Sequence, residues 1–281
     1  MFVTSEPHAQ VAACGGQIEK GRWSGYTASC LVLDQVNQRW DESRMGDLTM
    51  KRADGAAARL DNIGVYIVGG TVSESRPDGR NSETIEFLAA GTMQWQEGPT
   101  PTPPFSFHKP CAVTITLTSF LIIHESEIWD FDAATDGPTG LDGWKSGYWP
   151  ELKTPRVEQG CAKVGQKVII AGGYNPNDAY AEVLLRSTEV LDLVSRQITS
   201  GGDLAVGRRL FHVGTIFSGG EEMMFALAGT TDRWNPPEGG LNSTEEWVEE
   251  SSTWRKGMSS LVEGRAAFAA VTVPAKLICP V

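Results

Sequence analysis

At 281 residues, with 31 glycines and 15 prolines among short apolar runs, the chain can bury a sizeable core and has the composition of a turn-rich all-β protein. Its 24 Lys and Arg against 35 Asp and Glu leave a net charge of -11, which argues against nucleic acid and anionic membranes, because phosphate binding takes a cationic face. No apolar run approaches the roughly 18 residues that cross a bilayer, and the opening MFVTSEPHAQ lacks the basic start and apolar core of a signal peptide.

In chain order, the first apolar run is Val11-Ala12-Ala13-Cys14, stopped by Gly15-Gly16 and followed after a polar stretch by Cys30-Leu31-Val32-Leu33-Asp34. Short runs bounded by glycines read as buried strands rather than helices. The pattern of strand, doublet, loop and strand returns as Val65-Tyr66-Ile67-Val68-Gly69-Gly70 with Thr84-Ile85-Glu86-Phe87. In the next unit Phe120-Leu121-Ile122-Ile123 ends in His124-Glu125 instead of glycines, and the second strand is Ile128-Trp129-Asp130-Phe131-Asp132. Val168-Ile169-Ile170-Ala171-Gly172-Gly173 leads to Val190-Leu191-Asp192, and Met224-Phe225-Ala226-Leu227-Ala228-Gly229 leads to Thr244-Glu245-Glu246-Trp247. The first glycines stand at 15, 69, 172 and 229, with steps of 54, 103 (two units) and 57. Tryptophans 40, 95, 149 and 254 keep the same beat. A fixed period near ~50 residues is the signature of a propeller array.

These doublets and tryptophans resemble the kelch-repeat family, and the resemblance covers nearly the whole chain. It implies an all-β, kelch-type β-propeller of four-stranded blades in one domain. The doublet then ends the second strand of each blade, an acidic or aromatic turn the third, and a tryptophan marks the fourth. Blade boundaries fall at about 1–48, 49–101, 102–153, 154–205 and 206–262, with a partial unit over 263–281. The unit at His124-Glu125, without its doublet, and the unit lacking a tryptophan near Gln197 are expected to pack less regularly. The family's innermost strand is matched by Gly55 to Ala58, by Cys161 to Val164 and, for the first blade, by Met1 to Ser5. Ala266 to Val273 reads as one more such strand, with Lys276 to Cys279 starting another. Two closures fit: a five-blade ring completed by the last strand, or a fragment of a six-bladed parent.

Cys14 ends the second strand of its blade and Cys30 opens the third, so antiparallel pairing sets them opposite each other, within reach of a disulfide. Closing that loop contributes about 3 kcal/mol in the chain-entropy model. The alternative is two small buried apolar residues. Cys111 and Cys161 open equivalent inner strands one repeat apart, where either a bridge or plain packing explains them. Two plausible pairs with Cys279 left over suggest an oxidising compartment. Secreted invertebrate kelch proteins look like this, and Asn242-Ser243-Thr244 is a glycosylation sequon.

Chemistry is sparse. His8, His108, His124 and His212 fall in different repeats, none at metal-ligand spacing with a second ligand. There is no nucleophile elbow, dinucleotide fingerprint or P-loop. Glu221-Glu222, Glu245-Glu246 and Glu249-Glu250 read as solvated faces. Arg52, Arg156, Arg209 and Arg265 each precede an inner strand, where a charge-assisted hydrogen bond tying blade to blade competes with a guanidinium ring that binds acidic groups. The long loops after the doublets carry Arg22, Trp23, Tyr26, Arg76, Arg80, Tyr174, Tyr180, Arg233 and Trp234, residue types that dominate interface energy. For Trp23 and Trp234 a lid folded over the blade is an equal reading.

The expectation is therefore a non-enzymatic protein-interaction module that presents inter-strand loops on one face, with no cofactor, no metal, no nucleic acid, no membrane insertion and a protein partner in the extracellular space. The alternatives are a sugar-active or sugar-binding propeller, similar to a sialic acid mutarotase, and the substrate-binding part of a truncated ubiquitin-ligase adaptor.

Overall fold

The structure, a computed structural model, describes residues 1–4, 10–20, 23–34, 36–37, 39–72, 84–99, 109–145, 147–178, 184–218, 221–232, 240–257, 259–267 and 270–271. The fold is a β-propeller of five four-stranded antiparallel blades. Each blade is a meander whose strands pair in chain order. Blade 1 is Phe2–Val3, Val11–Cys14, Cys30–Asp34 and Arg39–Asp41; blade 2 is Ala56–Leu60, Gly64–Val68, Ile85–Ala89 and Trp95–Glu97. Blade 3 is Cys111–Thr114, Ser119–His124, Glu127–Asp132 and Trp144–Lys145. Blade 4 is Gly160–Val164, Lys167–Ala171, Thr188–Asp192 and Ile198–Ser200; blade 5 is His212–Ser218, Glu221–Leu227, Thr244–Val248 and Thr253–Lys256.

Chain contacts divide the molecule into two compact units. The first holds blades 1 and 2 and most of blade 3, and its core forms on both sides of blade 2. Val65 and Ile67 join Phe2, Val32, Met45, Leu88 and Trp95 on one side. Tyr66 and Val68 join Phe87, Phe120, Ile122 and Phe131 on the other. A strand buried on both faces needs no alternation, which is why this run is continuously apolar. Around Tyr66 the rings of Phe87, Phe120 and Phe131 stand 4.7, 5.0 and 5.5 Å away by centroid. The second unit holds blades 4 and 5, with Ile169, Ala171, Val190, Phe211, Val213, Met224, Ala226 and Trp247 at its core.

Several sequence assignments slip by a few residues. The first doublet position is a left-handed backbone site, with φ of 69° at Gly15, 62° at Gly69 and 64° at Gly172. In blade 5 it is Ala228 (φ 58°), not Gly229, and in blade 3 it is Glu125 (φ 52°). His124 is simply the last residue of its strand. The fourth-strand position of blade 3 belongs to Trp144, which pairs with Phe131 as Trp40, Trp95 and Trp254 pair with Leu33, Leu88 and Trp247. Trp149 lies outside the strand and packs edge-on against Tyr148. Ile198 holds the equivalent place in blade 4, opposite Leu191. Both blades expected to be irregular are complete four-stranded sheets. Phe2–Val3 supplies the inner strand of blade 1 as anticipated, whereas most of 266–281 falls outside the described residues.

Candidate binding face at the loop roots

The long loops of blades 1, 2, 4 and 5 leave through the left-handed position and return just before the third strand. The first rung of the root is the same in four blades. Gly15, Gly69, Gly172 and Ala228 donate their N–H to the carbonyls of Ser29, Thr84, Ser187 and Ser243, at 3.0 to 3.4 Å. Beyond that rung the first loop folds into a two-stranded ribbon, Gln17–Lys20 with Trp23–Tyr26. In other blades the outgoing chain pairs instead with the segment ahead of its own inner strand: Thr71–Val72 with Arg52–Ala53, Tyr174 with Val157, and Thr230 with Arg209.

A buried arginine stitches three of these roots. Arg52 Nη1 donates to the carbonyls of Gly69 (2.9 Å) and Thr84 (3.1 Å), one on each side of the loop. Its Nη2 donates to Thr84 Oγ1 (2.9 Å) and Glu86 Oε1 (2.8 Å). Arg156 repeats the pattern on Gly172, Ser187 and Glu189, with its carboxylate bond at 2.9 Å. Arg208 does so on Ala228, Ser243 and Glu245, at 2.5 Å to the carboxylate. All three arginines rank among the largest fully buried side chains.

A buried ion pair survives when its remaining lone pairs and protons are largely satisfied; the carboxylates and terminal guanidinium nitrogens are, while Nε of Arg52 and of Arg156 is buried without a partner among the described residues. Glu86 also accepts from the Thr49 and Met50 N–H, Glu189 from Lys153 and Thr154, and Glu245 from Ala205. Burial lowers each guanidinium pKa and the neighbouring glutamate opposes that shift; arginine's high basicity keeps it cationic. The arginine backbone reaches the preceding blade as well, since Gly16 donates to Arg52 O and Gly173 to Arg208 O, both at 2.8 Å. For Arg52, Arg156 and Arg208 the tie between blades is thus backbone and the side chain serves the loop root, whereas Arg209 makes the charge-assisted tie expected from the sequence, to Glu158 ahead of the blade 4 inner strand.

The structure corrects two of the four arginines picked from sequence. Arg208, not Arg209, fills the repeat position in blade 5. Arg265 keeps only the backbone part, accepting from Gly229 at 2.9 Å, while its side chain is exposed. Arg209 instead pairs with buried Glu158 at 2.5 Å and lies 6.0 Å from the Tyr174 ring. Glu245 and Glu246, read as solvated, are both buried. Glu246 takes two bonds from Arg255.

Of the loop residues, Tyr26 and Tyr174 are half-buried at the roots, and Trp23 lies in the ribbon opposite Lys20. Arg22, Arg76, Arg80, Tyr180, Arg233 and Trp234 lie outside the described residues, as does His108. The Asn242 side chain is exposed. Cys14 and Cys30 face each other in register and form a disulfide, Cα atoms 4.1 Å apart. Cys111 and Cys161 are disulfide cysteines too. Among the described residues no group of three His, Cys, Asp or Glu is placed to hold a metal, and no helix is long and apolar enough to cross a membrane.

The glutamate half of the clamp was missed, although its trace is in the sequence. Thr84-Ile85-Glu86, Ser187-Thr188-Glu189 and Ser243-Thr244-Glu245 share hydroxyl, apolar-or-threonine and glutamate at steps of 103 and 56. A scan of the chain against protein-family models finds no match, and a search of curated proteins finds none.

Proposed function

We propose that the chain is a secreted kelch-type propeller working as a non-enzymatic protein-interaction module through the loops that follow its doublets. The carrying observation is the repeated Arg–Glu clamp. Three long loops start from roots whose buried charges and backbone groups are hydrogen-bonded. Rigid roots lower the ordering cost that a loop meets on binding. Disulfide cysteines and the exposed Asn242 sequon support the extracellular assignment.

The test is a pull-down from native extracellular fluid with wild type and a combined Arg76→Ala, Arg80→Ala, Tyr174→Ala, Tyr180→Ala and Arg233→Ala variant. Equal melting with loss of a captured partner supports the reading. A hot spot among these positions costs at least ~2 kcal/mol of affinity, about thirtyfold in Kd. If every captured protein binds both forms equally, this face is not the functional one, and a sugar screen takes its place.

A further inference from the structure

Blade 1 keeps the loop root but not the arginine clamp. Its glutamate position, matching Glu86, Glu189 and Glu245, is Leu31, one residue after Cys30. The rung itself is intact, with Gly15 donating to Ser29 O and Thr27 to Gly16 O, both at 3.0 Å. Besides the Arg52 backbone, which accepts from Gly16 at 2.8 Å and donates to Thr27 O at 3.2 Å, the side-chain link that spans the two sides there is the Cys14–Cys30 disulfide. Cys14 corresponds to Val68, Ala171 and Leu227, the last strand residues before the left-handed site. Cys30 corresponds to Ile85, Thr188 and Thr244, the first residues of the third strand. Ionic clamps ignore reductants; a disulfide does not.

We propose that the Cys14–Cys30 disulfide is a redox-cleavable clamp standing in for the Arg–Glu pair, so that reduction releases the 15–29 loop and its ribbon while the other roots stay fixed. This rests on the loop face being the binding face, and it makes one loop of that face redox-dependent. The chemistry balances with a dithiol reductant. Its thiolate attacks Cys14 Sγ, half-buried where Cys30 is fully buried. Cys30 leaves as a thiolate and takes a proton. The reductant's second thiol then closes on the mixed disulfide and frees Cys14 as a thiol. Two electrons pass to the protein and the dithiol becomes a cyclic disulfide.

Hydrogen exchange read by mass spectrometry tests this without any partner, so its failure is separable from failure of the binding reading. One arm compares wild type with Cys14→Ala plus Cys30→Ala. The other treats wild type with dithiothreitol and follows molecules in which peptide mapping finds the 14–30 bond open. The expected result is exchange about tenfold faster or more at the Gly15, Gly16 and Thr27 amides, the scale of lost local protection. The Gly173, Leu185, Gly229 and Leu241 amides and the strands Val11–Cys14 and Cys30–Asp34 should keep their protection. Unchanged exchange over 15–29 overturns the proposal. So does protection lost throughout blade 1, or a variant and a reduced protein that both unfold as a whole, because the bond then holds the blade and not the loop.

Discussion

At the scale of single residues, the arginine clamps carry the largest stakes. Removing one partner of a buried pair leaves the other charge uncompensated, a loss of about 3–5 kcal/mol. Arg156→Ala should therefore cost that much in a urea titration, whereas Arg265→Ala, at an exposed side chain, should stay within about 0.5 kcal/mol. Equal losses would mean that burial does not distinguish the two. From sequence both look alike, each an arginine ahead of an inner strand, because what separates them is a glutamate some thirty residues on: the Arg156 partner lies 33 positions away. His212, the first residue of its strand, makes a second case, for burial lowers its pKa to about 4. Between an unfolded value near ~6.5 and about 4, the unfolded chain binds a proton that the folded protein refuses. Stability should thus be complete above that window and fall as pH drops through it. His212→Leu should flatten the decline in melting temperature between pH 7 and pH 4. Asp34, Asp41 and Asp192, held below their usual range first by side-chain or backbone hydrogen bonds from Asn37, Ser43 and Ser195, lose their share only at lower pH. A histidine variant that melts like wild type at every pH would remove the assignment.

At the scale of the element, the glycine doublet is two different devices. The first position needs a left-handed backbone, which Ala228 and Glu125 also adopt, so scanning for glycine placed it one residue late in blade 5 and missed it in blade 3. In blades 2 and 4 the second position needs space as well. A Cβ on Gly70 would come within 2.4 Å of Ala53 O, and one on Gly173 within 2.4 Å of Val157 O, whereas at Gly16 nothing lies within 4 Å. Gly16→Ala should then cost only the backbone penalty, about 1 kcal/mol, and Gly173→Ala visibly more, because a backbone carbonyl cannot step aside. Thermal melts of the two variants decide it, and equal shifts would argue that conformation alone selects glycine there. Trp144 escaped notice for a related reason: spacing favoured Trp149, but only pairing with Phe131 identifies the fourth strand. The tight turn at Glu125-Ser126 in blade 3, where other blades carry a long loop, shortens that spacing.

At the scale of the molecule, the blade pattern was legible because every repeat writes it again, and errors in one unit are outvoted by the rest. The binding face is not written that way. Loop residues between the strands are not held to the period of the sheet, so the repeat that marks the blades says nothing about them. That division is itself open to measurement. Val164 is buried in the core of the second unit, among Ile169, Val190, Phe211 and Val213. Val164→Asp would bury an unpaired carboxylate, and protease resistance and the cooperative melt should both be lost. The five-site loop variant changes loop side chains and leaves the backbone bonds of Tyr174 with Val157, 3.0 and 3.1 Å, in place. Each such surface change is worth within about 0.5 kcal/mol, so that variant should melt close to wild type. If it melts as early as Val164→Asp, the loops are part of the core and lost binding by the same variant would report unfolding. If it melts with wild type, any lost affinity belongs to the face, and single reversions then locate the residues that carry it.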